Sequence, residues 1–222
     1  MLPVSIAAAL AAACQSAPLP DGEGRGVLAF DPDPPPGAAT YELPTFRVGD
    51  RYALLRGGRM RLDFAIVAVG PDGVVVQDAT GHQLRRTPEL AYLGNWNERG
   101  EPVRLVSPAD TRFHWPLWVG KTWRCEFVDR RAGAPPLVIE VRYRVEAAER
   151  ITVPAGTFDT LRIARIERAM VEGEQFFDQT SLVWYAPSVG LEVRQLIGGT
   201  AFELVEWTRG PVGNEGGEPG RH

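Results

Sequence analysis

The chain has 222 residues, 44% hydrophobic and 23% charged, with a formal net charge of −4. These proportions exclude a chain disordered throughout, a collagen-like repeat and a polytopic membrane protein. The acidic balance leaves no global basic field for nucleic acid, and 24 glycines with 19 prolines predict many turns.

Residues 1–13 read as an export signal. Leu2 to Ala13 is an apolar run rich in alanine. It is too short to cross a bilayer as a helix, which takes about 20 apolar residues, and it ends in small residues suited to cleavage. Cys14 follows Ala12 and Ala13, and this juncture resembles the lipobox of bacterial lipoproteins, with Leu10 one step before the usual leucine position. The resemblance implies that the Cys14 thiol is acylated and becomes the new N-terminus. The mature chain would then be exported and held by lipid to the cell envelope. Gln15 and Ser16 follow, with no Asp after the cysteine, which favours the outer membrane, facing the periplasm.

Residues 14–44 contain seven prolines and four glycines and predict an extended tether. From there to residue 208 the text is strand-like, and period-two alternation is common. We divide it at Pro116 into an N-terminal half, residues 45–115, and a C-terminal half, residues 116–208. Arg56-Gly57-Gly58-Arg59 and Pro71-Asp72-Gly73 predict hairpins in the first half. Residues 88–116 are the least regular stretch.

In the second half, Trp123, Cys125 and Phe127 share one face. Ile139, Val141, Tyr143 and Val145 do the same, opposite Glu140, Arg142 and Arg144. Leu191, Val193 and Gln195 form one face, with Glu192 and Arg194 on the other. Turns are predicted at Pro154-Ala155-Gly156, Pro187–Gly190 and Gly198-Gly199. Residues 209–222 have nothing to pack and predict a disordered tail. About ten strands joined by tight turns describe a curved antiparallel meander, half-barrel-like, with a two-sheet sandwich as the alternative. Phe46-Arg-Val-Gly-Asp-Arg-Tyr52 echoes Leu117-Trp-Val-Gly-Lys-Thr-Trp123, so the halves look related.

Three blocks, Pro116-Leu-Trp-Val-Gly-Lys-Thr-Trp123, Pro154-Ala-Gly-Thr-Phe158 and Trp184-Tyr-Ala-Pro-Ser-Val-Gly190, resemble a class of uncharacterised secreted or lipid-anchored bacterial domains. More loosely, the chain is similar to the half-barrel of periplasmic lipoprotein carriers and receptors, which cradle acyl chains on a concave sheet. That likeness implies a fold more than a function.

Chemistry is sparse. His82, His114 and His222 make no metal-ligand spacing, so no metal or cofactor is expected. No nucleophile elbow or phosphate loop occurs. Cys125, in an alternating segment, suits a small buried hydrophobe better than a nucleophile. Glu140, Glu146, Glu149, Asp159, Glu167, Glu172 and Glu174 stand among arginines, which predicts cross-strand pairs on a wet face. A carboxylate-based hydrolase is the third-ranked reading, and no catalytic residue is assigned. The six tryptophans are many for this length. Trp115, Trp118, Trp123, Trp184 and Tyr185 are the candidate binding residues. The leading expectation is a non-enzymatic envelope lipoprotein binding an apolar ligand or envelope component. A structural or assembly subunit of an envelope complex is the alternative.

Overall fold

A computed structural model of the chain describes residues 24–170 and 176–211. Every helix or strand among them is a strand. In chain order these are β1 (Gly26–Phe30), β2 (Arg51–Arg56), β3 (Met60–Gly70), β4 (Gly73–Asp78) and β5 (Gln83–Arg86). Then come β6 (Tyr92–Trp96), β7 (Pro102–Asp110), β8 (Thr122–Arg131) and β9 (Leu137–Val153). The last four are β10 (Gly156–Met170), β11 (Phe176–Ala186), β12 (Leu191–Ile197) and β13 (Thr200–Thr208). Cys14, the predicted signal, Glu172 and Glu174 lie outside the described residues.

All pairings are antiparallel, as the alternation predicts. The half-barrel does not hold, and neither does the two-sheet sandwich. The sheet runs β8-β7-β6-β5-β4-β3-β2-β13-β12-β11-β10-β9 and returns to β8, so twelve strands close into a barrel. The physical reason lies at the one ring join that no sequence-local hairpin makes: β13 pairs with β2 from Thr208↔Arg51 to Phe202↔Arg56. β8 pairs with the strand that follows it, β9, from Thr122↔Arg144 to Asp129↔Leu137, so each end of the strand series finds a partner. With β13 on β2, the barrel ring has no open edge.

The stretch expected to be a free tether is partly docked. β1 pairs with β8 from Gly26↔Glu126 to Phe30↔Trp123, on the edge that β7 leaves after Ser107. Asp31 continues the attachment by accepting hydrogen bonds from the backbone and hydroxyl of Thr122. Tyr41 then makes an isolated bridge to Leu117. At the other end, Arg209 and Gly210 are tied to Asp50 and so do not belong to a tail.

The echoed segments fold alike. Gly49 donates to the Ile66 carbonyl while Ile66 donates to Asp50; Gly120 donates to the Val145 carbonyl while Val145 donates to Lys121. Both glycines have positive φ, +91° and +98°, which explains the shared Val-Gly. Each segment leads into the first of six consecutive barrel strands, β2 in one case and β8 in the other.

The alternating faces pack as read. Ile139, Val141, Tyr143 and Val145 of β9 are each at most 2% exposed and join Trp123, Cys125 and Phe127 of β8 in the main core. Twelve strands make a wider barrel than the roughly eight whose side chains fill the interior unaided. The β7–β8 connection makes up part of the difference. Phe113 and Leu117 from this segment are buried in the core, and Phe113 and Trp115 meet Tyr185 of β11 at 5.4 and 5.5 Å between ring centroids. The segment is a plug, and its folded-in course explains the lack of regular pattern before Pro116.

A second, smaller cluster forms where the β9–β10 hairpin reaches across the sheet. Ala155 at its tip donates to the Leu204 carbonyl of β13. Val153 and Phe158 pack there with Trp184, which lies on the sheet face opposite Val183 and Tyr185.

Candidate functional site

The plug leaves part of the barrel interior unfilled. A cavity of about 210 Å³ remains between β2–β5 on one side and β12–β13 on the other. Its wall is made by inward residues of the alternating strands: Leu54 from β2, Leu62, Phe64 and Ile66 from β3, Val74 and Val76 from β4, and Phe202 from β13. Phe46, ahead of β2, and Leu90 and Phe113, nearer the plug, complete it. Tyr52 and Tyr185 add phenol rings. Burial pushes the Tyr52 hydroxyl up to about 12, against the pull of Arg86 and Arg112, so it is a neutral group at physiological pH.

Three charged side chains also face this space: Arg86 from the end of β5, Arg112 from the plug and Glu192 from β12. Strict alternation places Glu192 on the outer face, with Arg194. The structure turns it inward through a bulge. Tyr185 pairs with Glu192 and Trp184 with Arg194, leaving Val193 as the extra residue. A bulge of this kind re-aims side chains, and here it swings a carboxylate inward, onto the face that carries Tyr185. These three residues were not among the sequence candidates. Arg112 sits in the stretch without periodicity, Arg86 stands beside Arg85 in no motif, and the bulge leaves no local signal in Leu191-Glu192-Val193.

Of the five candidate binding residues, Tyr185 alone lines this cavity. Trp115 is half-buried, stacks on Phe113 at 5.3 Å and donates to the Glu89 carbonyl. Trp118 is buried beneath the Lys121 ammonium, which sits 4.2 Å from its ring centroid. Trp123 stacks on Tyr143 at 4.9 Å and donates to the Thr111 carbonyl, fixing one end of the plug. Trp184 donates to Glu149, the acid that also meets Arg162, and lies under the β9–β10 hairpin. These four indoles hold elements together.

Several polar groups outside the cavity pair with one another. Asp110, buried at the end of β7, accepts from the Tyr143 hydroxyl at 2.5 Å and from Arg165 at 3.2 Å, with the Cys125 sulfur at 3.6 Å. Arg165 also holds Glu167. Burial, and after it the Asp110 charge, pushes the Cys125 thiol up, the opposite of what a nucleophile needs. Arg124–Glu140, Arg150–Asp159 and Arg162–Glu146 are cross-strand surface pairs of the kind the alternation predicted, while Arg142 meets Glu140 along its own strand. Among the described residues no group of acidic, histidine and cysteine side chains is placed to hold a metal ion.

No protein-family model and no curated protein sequence matches the chain. Solved structures do resemble it. One, classed as a lipoprotein, from Parabacteroides distasonis, shares 12% identity over 77% of this chain and 100% of its own, with a TM-score of 0.47. The hypothetical lipoprotein YmcC of Escherichia coli shares 8% identity over 73% of this chain and 85% of its own, with a TM-score of 0.49. A protein classed as exported, with a YmcC-like fold, from Bacteroides fragilis shares 14% identity over 77% of this chain and 100% of its own, with a TM-score of 0.39.

Proposed function

We propose that the chain is a non-enzymatic lipoprotein of the cell envelope, anchored through Cys14, whose barrel holds a small apolar ligand inside. The observation that carries this reading is the internal cavity of about 210 Å³ with a predominantly aliphatic and aromatic wall. A space of that size exceeds the ~150 Å³ that admits a benzene-sized molecule in an apolar core. The lipobox-like juncture before Cys14 supports export and anchoring, and the outer membrane, on its periplasmic side, is the proposed location.

Calorimetric titration with octanol tests the cavity. Uptake in the wild type, with a negative heat-capacity change, is expected. Val76→Phe, which fills the cavity from β4, removes it. Equal heats from the two proteins would place the binding elsewhere. Palmitate labelling of wild type but not of Cys14→Ala tests the anchor.

One observation favours the assembly reading as a second function. β1 pairs with β8 alone, so its other edge is open, and Val27 and Phe30 on it are 40% and 50% exposed. An open strand edge with apolar side chains is a template for strand addition by a partner. Photo-crosslinking from position 28 in native envelopes would capture such a partner; cross-links confined to the chain itself would remove the reading.

A further inference from the structure

The polar end of the cavity carries more positive than negative charge. Arg112 Nε lies 3.2 Å from Glu192 Oε1, and Arg86 Nη2 approaches the same oxygen at 4.0 Å. Neither contact is a hydrogen bond. The Nε atoms of both arginines and both Glu192 carboxylate oxygens are buried with no hydrogen-bond partner. The Glu192 side chain is 8% exposed, and those of Arg86 and Arg112 are 16% and 22% exposed. Gln195, Tyr52 and Tyr185 line the same space and are neutral there. The set therefore sums to one excess positive charge inside a largely apolar enclosure. Such a charge is costly to leave uncompensated, and buried polar atoms without partners are few in folded proteins.

Building on the apolar-ligand reading, we infer that the occupant is a single-chain amphiphile with one anionic head group. Arg86 and Arg112 receive the head, a carboxylate or phosphate, while the chain lies along Leu62, Phe64, Val76 and Phe202. The planar guanidinium fork suits both heads. The volume, about 210 Å³, is below the ~300 Å³ at which drug-sized pockets begin, which suits one short chain.

The test is calorimetric titration of the whole chain with octanol, octanoate and octyl phosphate. At least tenfold tighter binding of an octyl anion than of octanol is expected, and the tighter of the two anions identifies the head. Glu192→Gln raises the excess to two positive charges. It should tighten anion binding at least threefold and leave octanol unchanged, a gain that misfolding cannot produce. Arg112→Gln cancels the excess and should bring the anions down to the octanol level. Octanol binding as tightly as the anions in the wild type, or no gain in Glu192→Gln, overturns the charged head and leaves the apolar-ligand reading standing. If none of the three binds, the unpartnered atoms are served by internal water, and both readings fall together.

Discussion

Lys121 shows how much a single residue can carry. It is the chain's one lysine among 23 arginines, and it is 1% exposed. Its ammonium donates to the Pro116 carbonyl at 2.7 Å and caps the Trp118 ring. Burial pulls its pKa from the ordinary 10.5 down to about 8. Between those values the folded chain holds fewer protons than the unfolded one, so stability rises with pH through that window. Below about 8 both states are protonated and the full cost of burying the charge stands. Urea unfolding of wild type against Lys121→Met should show the wild type gaining on the variant from pH 8 to pH 10; a constant difference would mean that the ammonium titrates normally. Cys125 makes a second prediction at this scale. Its thiol is fully buried and its pKa is raised, so thiolate is scarce in the fold. In a Cys14→Ser background, a thiol reagent at pH 8 should leave native protein unlabelled and react promptly in denaturant.

At the scale of elements, legibility followed periodicity. β9 was readable because its inward residues alternate from Ile139 to Val145 without a break. β12 was misread at Glu192 because a bulge changes which face a side chain takes while leaving the sequence pattern intact. Tyr185 was found for the wrong neighbourhood. It was grouped with four tryptophans for its aromatic character, whereas it meets the cavity because it shares a face with Val183. Glycines mark where strands approach too closely for any side chain. Gly94 in β6 has φ +141°, and a Cβ there would lie 2.1 Å from the Arg104 carbonyl oxygen of β7. Gly94→Ala must break the β6–β7 ladder and should cost about 3 kcal/mol or more. Gly57, in the β2–β3 turn, has φ +57° with nothing within 4 Å. Gly57→Ala meets only the left-handed backbone penalty, about 1–2 kcal/mol. Thermal unfolding of the two variants side by side checks the contrast. Similar losses would mean that the close approach at β6 relaxes freely.

For the whole molecule, the class was legible and the closure was not. Hairpin turns announce which consecutive strands pair. Nothing local announces that β13 will meet β2, because that join brings together residues such as Arg51 and Thr208 from opposite ends of the barrel's sequence. Composition misled in the same way before β2. A proline-rich stretch reads as a spacer, yet β1 within it is held by β8 through ladder bonds that its sequence does not advertise. Docking of β1 has a consequence for the proposed anchoring at Cys14. With residues 14–44 as a free spacer, the barrel could stand well away from the lipid. With Gly24 already bonded to Ser107, only nine residues, ten residue-to-residue steps, separate Cys14 from the fold. Fully extended, that length spans at most about 35 Å. For the acylated form on a supported bilayer, neutron reflectometry should find the near side of the barrel no farther than that from the headgroups. Shortening the segment between β1 and β2 by residues 33–38 should leave the distance unchanged, because that stretch lies beyond the point of attachment. A barrel that moves closer when 33–38 are removed would show that β1 lets go on the membrane and that the whole proline-rich stretch acts as the spacer.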